Sequence, residues 1–269
     1  MKKRKILTVV LASLLAVAGA LDAPAAHSAE PSVKVLDTTA TITDPGWFVS
    51  AYNAGFRLYV MHSTAWGTCT PWDRTQTQLK MALDAGLRIA VYTRNAECWK
   101  GGIEATGPYR EQLEFFALDV ELGEPPITSD MVDGVRDMGV RPIVYGIHTH
   151  WPLIMGDSSE FSDLPLWDGD FHDFDYAHWT PDLLSPAPVS YGGWNVPGNM
   201  RVGVQQKLGQ DIGGIQVDLN SFNRTSCASS LRARRPAEDQ RAYWINKGKS
   251  WSRLSSYRSG KRSVTGLAV

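Results

Sequence analysis

Asp119 and Glu121 stand one residue apart at the end of a short apolar run, Phe115-Phe116-Ala117-Leu118-Asp119-Val120-Glu121. The run is too short for a stable helix and its residue types suit a buried strand. Side chains alternate along a strand, so the two carboxylates point to the same side, about 6.6–6.8 Å apart along the backbone. Acids held together at the end of a greasy strand repel each other and are partly desolvated. Either effect raises one pKa and leaves a protonated acid beside a carboxylate, which is the equipment of a glycosidase. The plain alternative is a strand that runs into a loop whose Asp and Glu are solvated.

A second set of residues could hold a metal. His148-Thr149-His150 is a His-x-His pair, and Asp168, Asp170, His172, Asp173, Asp175 and His178 form a dense run of oxygen and nitrogen donors. Such groups hold zinc or calcium when their spacing closes a site. Here the spacing matches no closed site, a solvated acidic loop is the simpler reading, and no metal or other cofactor is expected.

The elements around these residues alternate from Val33 onward. Strands are expected at 33–37, 56–61, 87–92, 115–121, 142–145, 164–167, 201–207 and 214–219. Helices are expected from Pro45 to Gly55, from 73 to 85, near 109–113, from 128 to 138 and, shorter, over 150–155. Asp44-Pro45 supplies an N-cap and a first-turn proline, and Gly55, Gly86 and Gly139 stand where helices should stop. Eight strands and about five helices, the helices all in the first two-thirds, imply an α/β fold: a parallel barrel of the TIM type, modified in its last third. Catalytic groups in such barrels come from the C-terminal ends of strands. Asp37, Tyr92, Asp119, Glu121, Tyr145, Trp167 and Asp218 all fall at such ends, which favours the catalytic reading of the carboxylates.

Composition bounds the compartment and the partners. Lys2-Lys3-Arg4-Lys5, an apolar stretch from Ile6 to Leu21 and the small residues of 23–29 read as a secretory signal peptide over 1–29. The protein is therefore expected to be secreted or wall-associated, with no membrane insertion after cleavage. Residues 1–29 carry four Lys/Arg and Asp22, hence +3, and residues 227–269 carry ten Lys/Arg against Glu238 and Asp239, hence +8. Against −1 overall, residues 30–226 are left with −12. An acidic body does not suit nucleic acid. The basic tail, 227–269, reads as a disordered extension, with weak binding of anionic wall polymers as the alternative. Of the three cysteines, Cys69 and Cys98 fall in loops after successive strands and are favoured as a bridge in an oxidising compartment, leaving Cys227.

Several stretches, in order, resemble family 25 of the glycoside hydrolases, the Chalaropsis-type lysozymes or N,O-diacetylmuramidases, of which this chain would be a divergent member. Leu118-Asp119-Val120-Glu121 is similar to the family's Asp-x-Glu strand, Arg141-Pro142-Ile143-Val144-Tyr145 to the next strand, and Leu164-Pro165-Leu166-Trp167 to its proline-leucine-tryptophan strand. Gly213-Gly214-Ile215-Gln216-Val217-Asp218-Leu219-Asn220-Ser221-Phe222 resembles its C-terminal signature. The resemblance runs from about Val35 to Asn223, and a barrel domain over 30–226 is expected. It implies that Glu121 protonates the departing glycosidic oxygen. It further implies that Asp119 stabilises the developing charge or orients the acetamido group, and that Asp37 and Asp218 complete an acidic ring. Tyr92, Tyr145, Trp167 and Trp66 would stack on sugar faces and Gln205 would contact substrate. The implied reaction is hydrolysis of the β-1,4 link between N-acetylmuramic acid and N-acetylglucosamine in peptidoglycan, by a monomer without cofactor. Three alternatives stand beside it: another polysaccharide as substrate, a glycan-binding protein without turnover, and the metal-dependent hydrolase.

Overall fold

The computed structural model describes residues 32–171, 189–194 and 201–224. The expected signal peptide, the basic tail, Cys227, and the potential ligands His172, Asp173, Asp175 and His178 lie outside the described residues.

Eight strands close into one barrel in sequence order. They are β1 (Ser32–Thr38), β2 (Phe56–His62), β3 (Arg88–Thr93), β4 (Leu113–Val120), β5 (Pro142–Ile147), β6 (Leu166–Gly169), β7 (Arg201–Ile212) and β8 (Ile215–Asn223). Among the described residues five α-helices lie between them: α1 (Pro45–Asn53), α2 (Thr75–Asp84), α3 (Trp99–Glu104), α4 (Ser129–Asp137) and α5 (Trp151–Met155). The helix signals work locally as their chemistry dictates. Asp44 accepts from the Gly46 amide at 2.8 Å at the start of α1. Thr128 caps α4 by accepting from the Met131 amide at 3.4 Å, and Gly139 turns the chain away afterwards at φ +76°.

Alternation along the strands divides the core into two layers. Leu58 and Val60 join Val35, Ala90, Phe115, Ala117, Ile143 and Phe222 in one buried cluster, the barrel interior. Their neighbours Tyr59 and Met61 join Phe48 of α1 and Leu79 of α2 in the other, between strands and helices. The inner rows end in polar residues: Val33, Val35 then Asp37 on β1; Ala90 then Tyr92 on β3; Phe115, Ala117 then Asp119 on β4. Period-two geometry thus carries the chemistry to one mouth of the barrel.

The expectation of an all-parallel barrel is corrected at its last strand. β1 to β6 each pair in parallel with the next strand, but β8 is antiparallel to both β7 and β1. Two residues, Gly213 and Gly214, connect β7 to β8, both at positive φ (+60° and +83°). A connection that short can only make a hairpin, whereas a parallel crossover needs a dozen residues or more. Three smaller corrections follow. The sixth strand starts at Leu166, not Leu164, because the Leu164 amide is committed to the Phe161 carbonyl at 3.0 Å and Pro165 has no amide to donate. The segment after Cys98 is helical (α3), and the stretch near Tyr109 is a 3-10 helix over Gly107–Gln112. Cys69 and Cys98 are bonded, tying the loop after β2 to the segment after β3.

Candidate active site

All nine residues singled out from the sequence line one cleft of about 360 Å³ at the C-terminal mouth of the parallel strands. Asp37, Asp119, Glu121 and Asp218 share it with Tyr92, Tyr145, Trp167, Gln205 and Trp66. Asp218 reaches the mouth by a different route from that expected. It is the fourth residue of β8, and it faces Asp37 across the antiparallel pairing because β8 runs the other way.

The floor of the cleft is a hydrogen-bonded network. Gln205 donates from Nε2 to Asp37 Oδ2 at 3.1 Å and to Asp218 Oδ2 at 3.4 Å, while its Oε1 accepts from the Tyr145 hydroxyl at 2.6 Å. Asn220 donates to Asp37 Oδ2 at 2.6 Å and accepts from Trp167 Nε1 at 2.9 Å. The Gly209 amide donates to Asp218 Oδ1 at 2.7 Å. These bonds tie Gln205 to Asp37, Asp218 and Tyr145, so that it holds the two carboxylates while lining the cleft. Trp167 is only 2 % exposed and lies edge-on to Tyr145, with centroids 4.9 Å apart. It lines the floor of the cleft. Among the described residues the open aromatic rings of the cleft are Trp66, 64 % exposed at the rim, and Phe171, 42 % exposed.

Electrostatics separate the four acids. Burial, and then the Glu121 charge, hold Asp119 well above the usual carboxylate range. Burial and the Asp218 charge do the same to Asp37, against the hydrogen bonds from Asn220 and Gln205, and burial also raises Asp218. Asp119 Oδ1 has no hydrogen-bond partner among the described residues although it is buried. A buried polar atom left so is costly unless something entering the cleft satisfies it. Glu121 is placed otherwise: Arg94 Nη1 lies 3.0 Å from its Oε2. Sequence spacing predicted that one acid of the pair would be raised; the carboxyl that burial raises is Asp119.

The fold has known counterparts. The barrel is similar to the structure of a muramidase from Trichobolus zukalii, with TM-score 0.50 and 19 % identity over 71 % of this chain and 93 % of that one. It is also similar to a muramidase from Acremonium alcalophilum, with TM-score 0.47, 19 % identity and the same two coverages. The likeness is one of fold. In sequence, 105 residues are 30 % identical to Counting factor 50 of Dictyostelium discoideum, covering 38 % of this chain and 30 % of that protein. No protein-family model matches the chain.

Of the potential metal ligands, His148, His150, Asp168 and Asp170 fall among the described residues. Among the described residues no three His, Cys, Asp or Glu side chains gather as a metal-holding group. Asp168, expected in a solvated loop, is buried on β6, where Arg201 pairs with it at 3.0 Å and the Tyr191 hydroxyl donates to it at 2.8 Å. Sequence reasoning missed Arg94 and Asn220 as members of the site. Both continue inner rows already marked, Ala90-Tyr92 of β3 running on to Arg94 just past its end and Asp218-Asn220-Phe222 on β8, and that parity was the signal available.

Proposed function

We propose that the protein is a secreted glycosidase that cleaves the β-1,4 link between N-acetylmuramic acid and N-acetylglucosamine in peptidoglycan. One observation carries the reading: Asp119 and Glu121 open into the same cleft as Asp37 and Asp218, at the mouth of a barrel like that of a muramidase. Glu121, on the loop just after β4, is the proton donor to the departing glycosidic oxygen. Asp119 lies deeper. Its unpartnered Oδ1 is the atom that stabilises the oxocarbenium-like charge or takes the hydrogen bond of the acetamido N–H. A buried carboxylate with a raised proton affinity is a strong acceptor for an N–H that becomes more acidic as its carbonyl attacks. Asp37 and Asp218, held by Gln205 and Asn220, place their oxygens as acceptors around the site where positive charge develops. Trp66 offers a ring for a sugar face at the rim.

The test is release of new reducing ends from purified cell walls. Wild type should release them, Glu121→Gln and Asp119→Asn should abolish release, and EDTA should change nothing. Walls bound without any release would leave a glycan-binding protein, release surviving in Glu121→Gln would remove the assigned donor, and release from a different polysaccharide alone would move the substrate.

A further inference from the structure

Arg94 is the one lysine or arginine that lines the cleft among the described residues. Its guanidinium is held on several sides. Nη1 lies 3.0 Å from Glu121 Oε2, Nε lies 3.2 Å from Glu124 Oε1, and Nη2 donates to the Leu122 carbonyl at 3.4 Å. Its outer side is 6.0 Å from the Trp66 ring centroid. The cation therefore ties the end of β3 to the loop that carries Glu121 and places the rim ring over both.

Asp119 from β4, Asp37 from β1 and Asp218 from β8 share the cleft with Glu121. Tyr92 from β3, Tyr145 from β5 and His150 before α5 complete the titratable lining. Among the described residues no other lysine or arginine lines the cleft to hold the Glu121 carboxyl in the place of Arg94.

We propose that Arg94 is a positioning residue that pins the Glu121 carboxyl to the cleft wall, in the orientation from which it gives its proton to the departing oxygen. The inference rests on the assignment of Glu121 as proton donor. A guanidinium engaged at once by Glu121, Glu124 and the Leu122 carbonyl fixes the loop that carries the donor. Without it the carboxyl is free to turn from the departing oxygen, and a misplacement of about 1 Å can cost on the order of a hundredfold in rate.

The experiment compares wild type with Arg94→Gln, Arg94→Met and Arg94→Lys in wall hydrolysis. The neutral variants should lower kcat by about tenfold or more with KM within about threefold. Arg94→Lys keeps the charge and should recover part of kcat. A raised KM at unchanged kcat would make Arg94 a substrate contact, and an unchanged kcat in both neutral variants would overturn the proposal. A second measurement separates this outcome from failure of the functional reading: carbon-13 relaxation of the glutamate carboxyls, with Glu121 identified by its loss in Glu121→Gln. If wild type releases nothing from walls, the functional reading fails. Even then, a Glu121 carboxyl equally mobile in wild type and both neutral variants removes the role given to Arg94, and one that is more mobile only in the variants supports it.

Discussion

Asp37 and Asp218 face each other across the antiparallel β1–β8 pair, and the Gln205 amide is shared between them at 3.1 and 3.4 Å. Two acids opposed on neighbouring strands are unfavourable unless something divides their charge. The seam that closes the barrel is therefore also the place where the site concentrates its negative charge, and Gln205 from β7 is the residue that makes the two compatible.

Gln205→Leu should thus act on stability as well as activity. It leaves the buried Tyr145 hydroxyl without its acceptor and takes one donor from each carboxylate, Asp37 keeping Asn220 and Asp218 the Gly209 amide. Destabilisation of about 2 kcal/mol is expected from the denaturation midpoint. Gln205→Glu should be worse at pH 7 than at pH 4, because a third carboxylate joins the pair only when ionised. Equal midpoints for Gln205→Glu at the two pH values, relative to wild type, would remove the charge-dividing role.

Much of this arrangement was legible because period-two alternation is simple. The rows Val33-Val35-Asp37 and Phe115-Ala117-Asp119 announce both the barrel interior and the acids at its mouth. Less legible was whatever depends on packing between distant segments. α3 begins Trp99-Lys100-Gly101-Gly102, and paired glycines argue against a helix. Their reason is tertiary: a Cβ on Gly101 would stand 2.2 Å from the Cys69 carbonyl oxygen, and one on Gly102 would stand 2.6 Å from Thr93 Cγ2. Asp168 read as a loop acid because nothing nearby in sequence shows Arg201 and Tyr191 coming to meet it. Gln205 and Trp167 were placed correctly at the cleft, yet their polar atoms were already committed to neighbours, which no spacing reveals.

Asp119 predicts a pH dependence of folding. Its folded pKa is raised by burial and by Glu121, so over the window from its unfolded value, about 4, up to the folded one, the native state binds more protons than the unfolded chain. Stability from this group is full below that window and is lost as pH rises through it. Asp119→Asn should therefore raise Tm at neutral pH while leaving it little changed at pH 3, and should flatten the decline between. A variant less stable than wild type at pH 7 would mean that Asp119 is satisfied in the folded protein.

Trp66 separates binding from folding. At 64 % exposure its removal costs little core, so Trp66→Ala should leave Tm within about 2 °C. Loss of a ring that stacks on a sugar should cost about 1 kcal/mol, read as a KM raised roughly fivefold with kcat less affected. An unchanged KM on long glycan strands would place the sugar path elsewhere.

Arg201 offers the opposite case, a charge that serves the fold. It is 9 % exposed on β7 and reaches Asp168 at 3.0 Å and Asp170 at 3.2 Å, bracing β6 against β7 beside the cleft. Burial raises the Asp168 carboxyl even with the guanidinium opposing it, so the environment is dry enough to make an orphaned charge expensive. Removing one partner of such a pair typically costs 3–5 kcal/mol, whereas replacing both by apolar groups can be nearly neutral. Arg201→Met should lower stability by about 3 kcal/mol at pH 7, and by less at pH 4, where Asp168 can take a proton. The double variant Arg201→Met, Asp168→Leu should recover part of that loss, although the Tyr191 hydroxyl then keeps only the Gly146 carbonyl as acceptor, at 2.9 Å. A double variant as unstable as the sum of its single changes, measured by urea denaturation, would show that Arg201 and Asp168 are not coupled.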